Sequence, residues 1–133
     1  MTISITKTTQ PKPMPDQSKL GFGTFFSDHM FNMDYDPQNG WHNPRIEPYG
    51  KLSLDPATMV FHYGQAVFEG LKAYRTAQGR IQLFRAKDNF TRLNRSCRLL
   101  CIPEIDESRM LGALKQLLEV EAAWVPSAEG TSL

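Results

Sequence analysis

From residue 24 to residue 35 apolar and polar positions alternate, with His29, Phe31, Met33 and Tyr35 on one side and Asp28, Asn32 and Asp34 on the other. A period of two predicts a strand with one buried face. The stretch Asp36-Pro37-Gln38-Asn39-Gly40 supplies turn chemistry, so a hairpin to a second strand near residues 45–49 is expected. Asp55-Pro56 has the makings of a helix start, and the chain from there to Glu69 is expected to be at least partly helical, weakened at Gly64 and closed at Gly70. Residues 71–75 and 80–85 flank the polar link Thr76-Ala77-Gln78-Gly79 and predict a further hairpin. The period then changes to 3.6. Over residues 86–101 it puts Phe90, Leu93, Cys97, Leu100 and Cys101 on one helical face, with Pro103 as the stop. Asp106 is placed to cap a last helix, from Glu107 to about Ala122, that turns Met110, Leu111, Leu114, Leu117 and Leu118 inward.

Two segments fall outside this pattern. Residues 1–19 have scattered apolar positions, and Pro11, Pro13 and Pro15 alternate with other residues, so an extended or loosely ordered tail is expected ahead of a domain over residues 20–133. At the other end, Trp124-Val125-Pro126 leads through a polar link to Leu133, where another strand would be expected to begin, and the chain reads as cut rather than finished.

Composition narrows the class. At 133 residues and 41% hydrophobic the chain can bury one core. Its +1 net charge gives no general pull toward nucleic acid or an anionic membrane. The longest apolar runs are four residues, far short of the ~20 that span a bilayer. The first twenty residues lack the apolar stretch of a secretory signal, so a cytoplasmic protein is expected. Cys97 and Cys101 are the only cysteines; four apart on one helix, they are expected to be reduced and buried.

Charge is unevenly spread. The stretch from Lys72 to Arg98 carries +7 and the remainder of the chain −6, which suggests an anion site in the middle third as the alternative to a solvated basic helix face. Arg92 shares its helical side with Ser96 and Leu99, so it is the arginine expected to lie under cover. His29, His42 and His62 lack metal-ligand spacing and no metal site is expected. No glycine-rich nucleotide motif and no nucleophile-elbow motif occurs. Between residues 61 and 75, Tyr63 beside Gly64 is poorly explained by core packing alone, because a tyrosine hydroxyl needs a partner and a glycine lets a ligand or another backbone approach.

Six blocks together carry a resemblance: Gly21-Phe22-Gly23 leading to Asp28-His29-Met30, then Gly40-Trp41-His42, residues 61–75, Leu83-Phe84-Arg85, Asn89-Phe90-Thr91-Arg92-Leu93, and Trp124-Val125-Pro126. In this order the chain resembles the N-terminal part of branched-chain amino acid aminotransferases, pyridoxal-phosphate enzymes of fold type IV, from about residue 20 to residue 133. The resemblance implies an α/β (α+β) small domain with a twisted, mostly antiparallel sheet and packed helices, and a larger second domain beyond the present end. Arg92 matches the arginine that holds the cofactor phosphate. Phe22, Tyr63 and Phe68 match residues lining the substrate side-chain pocket, the tyrosine often reaching across a dimer interface.

The lysine that carries the cofactor, and the carboxylate that pairs with the pyridine nitrogen, belong in that family to the second domain. No catalytic residue is therefore expected in these 133 residues, and Lys72 and Lys87 are expected at the surface. The implied activity is transfer of the amino group of leucine, isoleucine or valine to 2-oxoglutarate by a homodimer, with this chain inactive alone. Amino acids and 2-oxo acids are the implied small-molecule partners. A D-amino acid aminotransferase or an aminodeoxychorismate lyase of the same fold type, and a non-catalytic assembly or binding module, are the alternatives.

Overall fold

The structure, a computed structural model, describes residues 2–133 as a small α/β domain of two sheets and three helices. Strand β2 (His29–Asp36) and β3 (Gly40–Pro48) form the expected hairpin, the second strand starting five residues earlier than the sequence suggested. Its turn is built by Asp36, whose Oδ1 accepts the backbone N–H groups of Gln38 and Asn39 at 2.9 and 2.8 Å. Gly40 follows at φ +64°, a conformation that costs glycine nothing. The ladder carries a bulge opposite Met33: Asn32 pairs Arg45 and Asp34 pairs His42, so Asn43 and Pro44 oppose one residue. Asn43 absorbs the bulge at φ 50°, with its Nδ2 donating to Asp34 Oδ2 at 2.8 Å, and Pro44 sits where no ladder donor is required.

Strand β1 (Ser4–Ile5) lies parallel to β3, and the three strands run in the order β1-β3-β2. Thr6 N–H extends this pairing to the Ile46 carbonyl at 2.9 Å. A short 3₁₀ turn at Gln17–Lys19 follows the N-terminal prolines. On β2 only His29 is fully buried. Tyr35, expected on the inner side, is 45% exposed at the hairpin end and packs edge-on against Trp41 instead.

Strands β4 (Ala73–Arg75) and β5 (Ile81–Leu83) form the second expected hairpin. Ala73 and Leu133 also exchange backbone hydrogen bonds at 2.8 and 3.0 Å, the reciprocal pattern of an antiparallel pair. Helix α2 (Ala86–Leu99) buries Ala86, Phe90, Asn94 and Cys97, and α3 (Glu107–Val120) buries Ala113 and Leu118. Asp106 caps α3 as its sequence predicts, accepting from Arg109 N–H at 2.9 Å. Leu118, Ala73 and Val125 form the core cluster, with Ile81, Leu83 and Leu114 against it. The loop between the helices is fastened by Asn94, which donates to the Ile105 carbonyl and accepts from its N–H, both at 2.9 Å.

Three expectations are corrected. The helix after Asp55-Pro56 is only α1 (Met59–Tyr63): Asp55 caps a turn through Ala57 N–H at 2.7 Å, Thr58 precedes the helix, and Gly64 ends it at φ +59°. Nothing in α1 is buried, so no tertiary packing lengthens it. Helix α2 ends before Cys101. Ile102 N–H reaches the Cys97 carbonyl at 2.9 Å and Cys101 N–H the Arg98 carbonyl, a Schellman closure with Cys101 left-handed at φ 54°. Cys101 is therefore exposed, and Leu100 is 42% exposed, whereas Cys97 stays buried.

Candidate functional site

A cleft of about 970 Å³ opens between the Leu20–Gly23 stretch, the residues after Gly70, the N-terminal half of α2 and the chain end at 130–133. Its charged lining is Lys72, Arg85, Arg92 and Asp88, so cations outnumber acids. Arg85 pairs with Asp88, three residues on, which ties one positive charge down within the rim. The periodicity of α2 explains how Arg92 comes to face this space. Phe90, Asn94 and Cys97 are the buried stripe, and Arg92, 200° around from Phe90, points off it.

Arg92 is not under cover. Its side chain is 64% exposed, and Leu99 on the same helical side is 77% exposed, so that strip faces outward. What distinguishes Arg92 is its partner: Nε donates to Glu69 Oε2 at 2.6 Å and Nη2 donates to Oε1. Glu69 is held from behind as well, Oε1 accepting Gly70 N–H at 2.9 Å and Asn89 Nδ2 at 3.1 Å. Hydrogen bonds from the Arg92 guanidinium, then Asn89 and Gly70, outweigh the cost of burial and hold the Glu69 carboxyl down to about 2. The same pairing raises Arg92 from its ordinary value. Two of the five guanidinium donors are thus used, and Nη1 has no hydrogen-bond partner among the described residues.

The four residues singled out in the sequence divide into two pairs. Phe22 and Arg92 line the cleft together, Phe22 standing entirely free of its own chain. Tyr63, at the end of α1 and 78% exposed, and Phe68, 94% exposed, lie outside its lining. Lys72 and Lys87 are exposed, and Lys72 borders the cleft. Among the described residues no cluster of histidine, cysteine and acidic groups could hold a metal ion, and no helix is long and apolar enough to cross a membrane.

Two polar constellations escape sequence reading. Glu69 is one; its signal was a lone carboxylate between Phe68 and Gly70, beside the basic stretch. The other lies under β2. His29 and Glu121 are 8% and 2% exposed and meet through Nδ1 and Oε1, while Asp28 N–H donates to Glu121 Oε2 at 2.8 Å. Thr8 N–H donates to His29 Nε2 at 2.8 Å, so the ring proton sits on Nδ1 and is given to Glu121. Trp124 Nε1 donates to Asp28 Oδ2 at 3.1 Å and completes the network.

Nearly the whole chain is similar to curated proteins. It is 59% identical over 127 residues to Branched-chain-amino-acid transaminase 1 of Bacillus subtilis, covering 96% of this chain and 36% of that protein. It is 54% identical over 132 residues to Branched-chain-amino-acid aminotransferase 2 of the same organism, covering 99% of this chain and 36% of the relative. A probable branched-chain-amino-acid aminotransferase of Staphylococcus aureus is 49% identical over 122 residues, at 92% and 34% coverage. The chain spans about a third of the length of the curated relatives it matches. No family model matches it.

Proposed function

The chain is related along nearly its whole length to branched-chain amino acid aminotransferases, and on that premise we propose that the protein carrying it transfers the amino group of leucine, isoleucine or valine to 2-oxoglutarate. The observation that supports this most directly is the Arg92 guanidinium, fixed on one edge by Glu69 and open on the other, in a cationic cleft shared with Phe22. That donor set suits a phosphate group, whose oxygens a guanidinium fork meets two at a time. The cleft is also roomy enough for an aromatic ring carrying one.

Pyridoxal 5'-phosphate is the cofactor of this reading, and it supplies an electron sink for the bond-breaking at the amino acid's α-carbon. Arg92 binds and orients the phosphate. Glu69 holds Arg92 in turn, and Asn89 holds Glu69. Phe22, Tyr63 and Phe68 supply apolar surface for a branched aliphatic side chain. Tyr63 and Phe68 are exposed here, and the reading has them contribute from outside the cleft, in a fold-type IV homodimer where a second domain and a second subunit cover them. These 133 residues hold no catalytic lysine in this reading, so the chain is inactive by itself. Free Cys97 and Cys101 agree with a cytoplasmic location.

The test is glutamate formation from 2-oxoglutarate by the whole protein. L-leucine, L-isoleucine and L-valine should serve as donors and D-alanine should not. Reaction with D-alanine alone, or with none of these donors, would replace the reading with one of the other fold-type IV activities or with a non-catalytic role.

A further inference from the structure

The Glu69 side chain is only 10% exposed although the Arg92 side chain it meets is 64% exposed, so the rigid half of this pair is the acid. Its rigidity has visible sources. Gly70 N–H and Asn89 Nδ2 both donate to Oε1, and Asn89 Nδ2 also donates to the Gly70 carbonyl at 2.9 Å, which locks the amide across the Glu69-Gly70 peptide. An arginine side chain on an exposed helical strip otherwise samples many rotamers, and ordering it counts against any ligand it binds. Here Glu69 takes the Nε and Nη2 donors of one guanidinium edge. The end of the fork, with both Nη1 hydrogens and the second Nη2 hydrogen, remains available.

We propose that Glu69 is a positioning residue for the anion site: it fixes the plane of Arg92 so that the open end of the fork is presented to the cofactor phosphate, and Asn89 and Gly70 fix Glu69. This rests on the reading of Arg92 as the phosphate anchor. A carboxylate beside a phosphate site would by charge alone repel the ligand, so the proposal makes a directional claim: removing the negative charge weakens phosphate binding rather than strengthening it.

The experiment is a titration of the whole apoprotein, followed by absorbance or fluorescence, with pyridoxal phosphate and separately with pyridoxal, which lacks the phosphate. Glu69→Gln keeps the volume and should lose about tenfold in affinity for pyridoxal phosphate while leaving pyridoxal unchanged. Added to Arg92→Ala, it should cost nothing more, because its effect passes through Arg92. If Glu69→Gln does not fold, Asn89→Ser loosens the same carboxylate without touching Arg92 and should give a smaller loss with the same selectivity. Unchanged or tighter pyridoxal phosphate binding, an equal loss with pyridoxal, or losses that add to those of Arg92→Ala would each overturn the proposal. An Arg92→Ala protein that binds pyridoxal phosphate like the wild type would instead remove the anchor reading itself.

Discussion

Glu69 and Arg92, 23 residues apart in the chain, meet as a two-point ion pair at the edge of the cleft, joining the end of one loop to the middle of α2. The acid approaches from a segment with no regular structure, and the base from the most regular one. Their contact therefore fixes loop to helix as well as orienting a charge.

Acid sensitivity follows from that pair. The folded state holds the Glu69 carboxyl at about 2 against an ordinary 4.5, so its contribution to stability is complete above about pH 5 and disappears as pH falls toward 2. In denaturant melts, wild type should exceed Glu69→Gln at pH 7, and the difference should close between pH 4.5 and 2. A difference that does not change over that interval would show that the carboxyl is not held in its ionised form.

Arg92 should be separable from its basic neighbours. Arg98 is occupied by Glu104 at 3.2 Å, and neither it nor Arg95 lines the cleft. In the whole protein Arg92→Ala should weaken pyridoxal phosphate binding by roughly tenfold to a hundredfold, and Arg92→Lys should restore part of the loss because an ammonium keeps charge without the fork. Arg95→Ala and Arg98→Ala should bind nearly as wild type in the same titration.

What the sequence made legible was whatever a short window encodes. Asp36 with Gly40, Gly79 within its hairpin, and Asp106 before α3 are local capping and turn signals, and the structure uses all three. The extents of α1 and α2 are not encoded that way, because packing and a left-handed Cys101, not periodicity, set where those helices stop. The polar pairs were invisible for a different reason. Glu69 with Arg92 and His29 with Glu121 lie 23 and 92 residues apart, and nothing in either local pattern names the partner.

The two thiols should react at very different rates. Burial pushes the Cys97 thiol up and closes it off, whereas Cys101 is exposed on the turn after α2. A thiol reagent on the native protein should label one cysteine promptly, and peptide mapping should find it at Cys101. Cys97 should react only on unfolding.

Truncation within the buried network under β2 should cost more stability than its single contacts suggest. Glu121 accepts from both His29 Nδ1 and Asp28 N–H, and His29 in turn accepts from Thr8, which ties residues 8, 28, 29 and 121 into one unit. Glu121→Ala strands the buried His29 Nδ1–H and the partly buried Asp28 N–H at about 1 to 3 kcal/mol each, so a loss of about 3 kcal/mol is expected in urea unfolding. Double-mutant cycles with His29→Ala should show strong coupling, and simple additivity would contradict the shared network.

Cys101 offers a stabilising substitution. At φ 54° it occupies the left-handed position of a Schellman closure, where a side chain costs about 1 to 2 kcal/mol relative to glycine. Glycine also adds freedom to the unfolded chain, worth about 0.4 to 1 kcal/mol in the opposite direction. The relief of strain exceeds the entropy, and the exposed Cys101 side chain has no core contact to lose. Cys101→Gly should therefore stabilise the protein by about 0.5 to 1 kcal/mol, read as a higher midpoint in denaturant. Cys101→Ala, which keeps the Cβ, should leave the midpoint nearly unchanged. A lowered midpoint for the glycine variant would mean that the helix end is not held in the left-handed conformation.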